Sequence, residues 1–283
     1  MRFPLPATSR IRERVDRLDL PFDRFGYDPY GVEKDSLARF LTLIRVFYNG
    51  YFRVDVHGIG HVPQAGRAML VANHAGGIAF DASILLGACF FELEPPRLAQ
   101  GMAEKFINAI PMASTFSARV GQFPGLPEHA ERLLSQGRLL SVFPEGARGT
   151  AKLYSERRSL VRFGTGFVRL ATKTQAPIVP VGILGAGEAF PTVANLKGLG
   201  KVIGVPYVPV PRWGVPLPRP ARFTLLFGEP LRFEGTGSED DATVLSRVEE
   251  VKARIRGLLG EGEKLWDGRS RPDQLLLTPP AAG

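Results

Sequence analysis

Cysteine is almost missing from this chain of 283 residues; Cys89 stands alone. A lone thiol closes no internal disulfide, and within the apolar run 85–91 it reads as a small buried hydrophobe. That usage fits a reducing compartment. Histidine is scarce too: His57, His61, His74 and His129. None is spaced from another histidine, from Cys89 or from an acidic residue as metal ligands are, and no HExxH occurs, so no metal site is expected. The G-x-S-x-G elbow of serine hydrolases is absent. No uncharged apolar run approaches the ~20 residues needed to span a bilayer. Charge keeps interrupting the stretch behind Arg10, Arg12 and Arg14, so a signal peptide is not expected. Aromatic residues do not interleave with basic ones in a stacking stripe, which speaks against nucleic acid. There is no internal repeat.

What the chain does have is glycine (32), proline (24) and a formal charge of +8. The first two imply many turns, or backbone lying close to a ligand. The charge implies affinity for something anionic: a membrane or a phosphorylated substrate. A hydrophobic fraction of 44% is ordinary for a globular core.

In chain order, a short helix is expected over 11–20, ended by Pro21. Leu37, Phe40, Leu41, Ile44, Phe47 and Tyr48 form an apolar helical stripe with Arg39 and Arg45 among them. It either packs on the main domain or lies in a membrane interface with its arginines near headgroups. From Phe52 the period changes to two, which is a half-buried strand. A buried strand over 69–72 runs into a loop holding Asn73, His74, Gly76 and Gly77, and Asp81 opens a helix to Phe91. Strands are expected at 98–102, around Arg119–Gly121, and at 139–143, 178–184 and 221–227. Helices are expected at 127–134, 164–172 and from Val244 onward. The segment 196–220, broken by six prolines and four glycines, reads as a lid or surface crossover. His57 and His61 read as solvated, and His129 as lying on the polar surface of a helix. The alternation predicts an α/β fold: a single domain with a mixed, largely parallel central sheet flanked by helices, plus an N-terminal amphipathic helix. Residues 1–50 are read as the helical, membrane-interfacial segment, 51–260 as the main domain and 261–283 as a loose tail.

Two places carry chemistry. A strand-end loop is where an α/β sheet presents function. His74 there can take a proton from an alcohol, provided one ring nitrogen is held. Asp81 is the candidate holder, and Gly76 and Gly77 let the chain fold back between them. The competing reading has His74 bonded to backbone at a tight turn and Asp81 as a helix cap. The second place is Phe143-Pro144-Glu145-Gly146-Ala147-Arg148. Arg148 can clamp a phosphate with its planar fork, Gly146 permits close backbone approach, and Glu145 can hold Arg148 or bond an acceptor hydroxyl. The competing reading is a surface ion pair of little energy. Lys152, Arg157, Arg158 and Arg162 extend the basic character, either as a field around a phosphate or as a solvated face.

These blocks resemble the glycerolipid acyltransferase family, the lysophosphatidate acyltransferase-like enzymes. The first block of that family places an Asp five positions after a His; here Asn73, His74 and Asp81 are similar to it, with six residues intervening. The Phe-Pro-Glu-Gly-Thr-Arg block is matched at 143–148 with Ala147 for Thr. Arg119, Val120, Gly121, Gln122 and Phe123 lie where the second block falls, and Ala176-Pro177-Ile178-Val179-Pro180-Val181 resembles the fourth. Stretched, glycine-rich first blocks resemble the monoacylglycerol and diacylglycerol branch. Order and separation agree from about Phe52 to Leu226.

The resemblance implies an O-acyltransferase moving a fatty acyl group from a thioester, acyl-CoA or acyl-ACP, to the hydroxyl of a lysophospholipid. The default acceptor is 1-acylglycerol-3-phosphate. His74 and Asp81 would be catalytic, and Glu145, Gly146, Arg148, Arg119 and Gly121 would bind substrate. No bound cofactor and no metal are implied. An acyl groove is expected along 82–91 and 102–109. The chain would be peripheral on the cytoplasmic face of an anionic membrane, or cytoplasmic. Two rivals stay open: an esterase or thioesterase using His74 and Asp81, and a non-catalytic anionic-lipid-binding protein.

Overall fold

The structure is a computed structural model, and it describes residues 6–103, 113–215 and 217–267. Its strands are β1 (Arg53–His57), β2 (Ala68–Ala72), β3 (Ala99–Ala103), β4 (Gln122–Pro124), β5 (Leu139–Val142), β6 (Ile178–Leu184), β7 (Thr192–Leu196), β8 (Val208–Pro211) and β9 (Arg222–Phe227). Seven of them form one sheet in the order β1-β9-β6-β2-β5-β3-β4. Every pairing in it is parallel except β6 with β9. The remaining two, β7 and β8, make a small antiparallel ribbon.

The sheet is buried on both faces. Along β2, Met69 and Val71 belong to one apolar cluster and Leu70 and Ala72 to another, as a period-two strand between two layers requires. One layer is supplied by α5 (Pro127–Ser135), α7 (Gly166–Thr174) and α10 (Asp241–Asp267), the other largely by α3 (Phe80–Glu92), while the short helices α6 (Ala147–Thr150) and α8 (Ala186–Ala189) follow β5 and β6. The fold is therefore the expected α/β domain with a mostly parallel central sheet.

At the N-terminus α1 (Ser9–Asp16) and α2 (Lys34–Arg45) lead into a π-helical turn, Val46–Tyr51. Leu37, Leu41, Ile44 and Tyr48 are all buried, and Leu37 and Leu41 share a cluster with Met69. The stripe read as a candidate membrane face is thus consumed by the core. Two further differences follow from packing. Arg119 ends a helix, α4 (Ala113–Arg119), and the strand begins only at Gln122, because Gly121 takes a φ of +78° that breaks both helix and strand. The helix begun at Asp241 runs to Asp267, seven residues past Gly260, anchored by buried Trp266, whose indole N–H donates to Thr224 Oγ1 at 2.8 Å.

Of the histidines outside the loop after β2, His61 is exposed as expected, while His57 and His129 are half-buried. His57 Nε2 is buried without a hydrogen-bond partner among the described residues. His61 Nδ1 meets the Phe227 carbonyl at 2.8 Å, and His129 packs 5.9 Å from the Tyr30 ring and 5.8 Å from Phe123. Cys89 is fully buried. Among the described residues no helix is long and apolar enough to cross a membrane.

Candidate active site

β2 and β5 run parallel, with Met69 opposite Leu140 and Val71 opposite Val142, so the loops that follow them leave the same edge of the sheet. Asn73 takes over the sheet's hydrogen bonding where β2 ends. Its Oδ1 accepts from Ile183 N at 2.7 Å and its Nδ2 donates to Ile183 O at 2.9 Å. The side-chain amide thus satisfies two backbone groups of β6 that would otherwise be buried unpaired.

His74 follows. Its backbone N–H donates to Glu145 Oε1 at 2.8 Å, across from the β5 loop. The chain then turns through Gly76 and Gly77 at φ of +87° and +65°. A side chain at Gly77 would stand 2.8 Å from Thr192 Oγ1, and one at Gly76 would strike the Ala186 carbonyl. Only glycine fits a loop pressed this closely in this conformation. The loop brings back Asp81, in the first turn of α3, so that its Oδ2 lies 2.7 Å from His74 Nδ1. The same oxygen accepts from Ala75 N at 2.9 Å, and Oδ1 accepts from Ala82 N at 2.8 Å. A carboxylate that accepts on every side fixes the tautomer: Nδ1 carries the proton, and Nε2 keeps its lone pair. The six intervening residues are therefore the length of the glycine loop that closes this pair. Phe143 stacks on the imidazole, ring centroids 4.4 Å apart.

His74 lines a cavity of about 450 Å³. Its walls include Phe40 from α2, Ala82 and Leu86 from α3, Met102 from β3 and Phe143, with Ser117, Gln122, Ser141 and Thr150 supplying polar groups. The expected groove along α3 and β3 is present at Ala82, Ser83, Leu86 and Met102; residues 104–109 lie outside the described ones. Tyr207 comes over from the 196–220 segment, and its hydroxyl donates to Thr150 Oγ1. That segment is not featureless: it holds the end of β7, α9 (Lys197–Ile203) and β8.

The second block divides. Gly146 lines the cavity at φ +57° and ψ −149°. Glu145 does not: it is buried behind His74, its Oε1 and Oε2 lie 3.0 and 2.9 Å from Lys152 Nζ, and Val161 N donates to Oε2 at 2.8 Å. It neither holds Arg148 nor reaches an acceptor. Lys152, read either as part of a field around a phosphate or as a solvated face, is its buried partner, and burial lowers the Lys152 pKa against the opposing pull of Glu145. Arg148 is exposed, its Nη2 donating to the Arg162 carbonyl at 3.3 Å, while its neighbours Ala147 and Thr150 line the cavity. Arg119 ion-pairs with Glu33 at 3.5 Å, and Gly121 packs under Leu98; neither lines the cavity. Reading the sequence missed Gly149, where a side chain would stand 2.6 Å from His74 Cβ and 2.8 Å from Glu145 Cβ. A small residue four positions after Glu145 was the available signal.

Among the described residues no group of three His, Cys, Asp or Glu side chains is placed to hold a metal. The Cys89 thiol, pushed up to about 12 by burial, is no nucleophile.

The Acyltransferase family model matches residues 53–184, which spans the His74 loop, the Glu145 loop and β6. An uncharacterized protein of Mycobacterium tuberculosis is 34% identical over 261 residues, 88% of this chain and 71% of that one. The human 1-acyl-sn-glycerol-3-phosphate acyltransferase alpha is 29% identical over 153 residues, 53% of this chain and 52% of that one. A Gallus gallus protein described as a DGAT1/2-independent enzyme synthesizing storage lipids is 24% identical over 77% of this chain and 61% of its own length. The crystal structure of the 1-acyl-sn-glycerophosphate acyltransferase PlsC from Thermotoga maritima superposes with a TM-score of 0.54, covering 79% of each chain at 20% identity. Sequence blocks, fold and relatives converge: the chain belongs to the glycerolipid acyltransferase family.

Proposed function

We propose that this protein transfers a fatty acyl group from an acyl thioester, on coenzyme A or acyl carrier protein, to the hydroxyl of a lysophospholipid, with 1-acylglycerol-3-phosphate as the default acceptor. The observation that carries the reading is the 2.7 Å contact between His74 Nδ1 and buried Asp81, with the imidazole at the wall of a largely apolar cavity. Nε2 takes the acceptor hydroxyl proton as the oxygen attacks the thioester carbonyl. Asp81 holds the ring and stabilises the imidazolium. The tetrahedral intermediate then expels the thiolate, which recovers the proton from His74. No acyl-enzyme is needed. The cavity takes the acyl chain, and Arg148 at its rim takes the acceptor phosphate. Glu145 acts through the loop it pins.

A second reading concerns the acceptor. No lysine or arginine is among the described residues lining the cavity, which favours a neutral acceptor such as monoacylglycerol, in line with the similarity to the Gallus gallus storage-lipid enzyme. One experiment decides: labelled acyl-CoA offered with a panel of lysophosphatidate, other lysophospholipids and monoacylglycerol, with thioester loss followed in parallel. Label in a phospholipid, abolished by His74→Ala, supports the first reading, and label in diacylglycerol the second. Thioester loss without product means a hydrolase.

A further inference from the structure

Most of the stripe on α2 is buried, and among the described residues the exposed large apolar side chains concentrate elsewhere. The chain exposes one concentrated set of large apolar side chains. Val193, Leu196, Leu199, Val202, Val215 and Leu217 are all exposed, Val202 at 82% and Leu217 at 63%. They fall within a single excursion, from β7 through α9 and β8 to the turn before β9. Isolated exposed leucines need no explanation, but six in one short segment do.

The charge of that segment is equally one-sided. Between Glu188 and Glu229 the sequence holds no acidic residue, while Lys197, Lys201, Arg212, Arg219 and Arg222 fall within it. Arg222 is paired with Asp55. The other four are exposed, and none is ion-paired among the described residues. Within α9 the two characters separate. Leu199 and Val202, three apart, share one face, and Lys197 and Lys201, four apart, share the opposite one, while exposed Leu196 ends β7 just before the helix. The helix packs on its own ribbon through Gly200, where a side chain would stand 2.6 Å from Tyr207 Cα. That seam uses neither face, so both stay open. An exposed apolar face backed by lysines is the composition of a helix that lies in a membrane interface.

The same segment reaches the cavity. Val205, Pro206 and Tyr207 line it. The strip joining α9 to β8 therefore connects the exposed apolar set to the mouth of the site. The adjoining π-helical turn is tied in as well, Tyr51 Oη donating to the Pro218 carbonyl at 2.8 Å.

We infer that the 192–219 excursion is the surface by which this protein docks on an anionic phospholipid membrane, α9 seated among the headgroups and its connection to β8 leading lipid into the cavity. The inference rests on the proposal that the cavity acts on lipids, and it moves the membrane contact from the N-terminal helix to a segment that the core does not use.

The test is co-sedimentation of the full chain with vesicles of phosphatidylcholine and phosphatidylglycerol in equal parts, with pure phosphatidylcholine as the neutral control. The expected result is binding to the anionic vesicles that Lys197→Ala with Lys201→Ala weakens roughly 25-fold, at about fivefold per basic residue near an anionic surface. Leu199→Asp with Val202→Asp should abolish binding. All four residues are exposed, so thermal unfolding should match wild type. Both double variants should keep wild-type turnover of a short-chain acceptor held below its micelle concentration. His74→Ala should sediment like wild type, so a failure of the catalytic reading leaves this one standing. Wild type that stays in the supernatant overturns the inference, as do variants that still sediment. A fall from dimer to monomer in the Leu199/Val202 variant, by analytical ultracentrifugation, also overturns it, assigning the face to a second copy of this chain.

Discussion

Gly149 lies so close beneath His74 that a methyl group on its Cα would stand 2.6 Å from His74 Cβ and 3.3 Å from the His74 carbonyl oxygen. Neither neighbour can give way, because His74 is held by Asp81 at its ring and by Glu145 at its backbone. Gly149→Ala should therefore displace the imidazole. The expected outcome is a fall in kcat of roughly 10²-fold, the cost of an ångström-scale misplacement, read by steady-state transfer assays on a protein whose circular dichroism is unchanged.

His74→Ala removes the proposed base, and Asp81→Asn removes the acceptor that fixes its tautomer. Each should lower kcat by roughly 10²–10⁴-fold with little change in acceptor KM, since neither contributes ground-state binding. The double variant should be no worse than His74→Ala alone, because the two act as one unit. Additive losses in the transfer assay would break the coupling.

Glu145 and Lys152 form a buried ion pair, so removing one partner strands the other. Lys152→Met should cost about 3–5 kcal/mol of stability, read by urea unfolding. Glu145→Gln should also release the His74 backbone N–H and Val161 N. A residue that bound the acceptor directly would instead raise KM in a protein of normal stability.

Leu86 on α3 and Met102 on β3 both line the cavity. Leu86→Trp should fill part of it and shift donor preference toward shorter acyl chains. Each methylene no longer buried should cost about 0.8 kcal/mol, a factor of about four in kcat/KM. A ladder of acyl-CoA lengths measures it.

Cys89 sits in the middle of α3, fully buried, its thiol pushed up to about 12 by desolvation. The native protein should not react with a thiol-specific disulfide reagent at neutral pH and should react once unfolded. Reaction in the folded state would mean that α3 opens.

Much of this could be read from residue order. The strand at 178–184 and the helix after Asp81 are strong local signals, and the glycines between His74 and Asp81 announced a loop able to fold back. What the sequence hid was who meets whom across the sheet. Glu145 and Arg148 are neighbours in sequence and looked like partners. β5 instead delivers Glu145 beneath His74, where buried Lys152 claims it and Arg148 is left outside. Arg119 and Gly121 fall where the family's second block would place substrate-binding residues, yet that glycine ends a helix and leaves the arginine with Glu33. The stripe 37–48 reads the same whether it faces lipid or protein. Only the core beneath it decides, and helical periodicity carries no record of what lies on the other side.

The position of β9 has a further consequence for how this molecule comes into being. β9 lies between β1 and β6, and β1 has no other partner in the sheet. Among the described strands, β1, the first in chain order, thus waits for β9, the last, before it gains a backbone neighbour. The bonds that frame the site are no more local, Asn73 waiting 110 residues for Ile183 and His74 waiting 71 for Glu145. Loops of that length close slowly. β1 therefore stays unpaired long after β2, β3, β4 and β5 have one another to pair with, and a chain cut before Arg222 would lose two strands of the sheet rather than one.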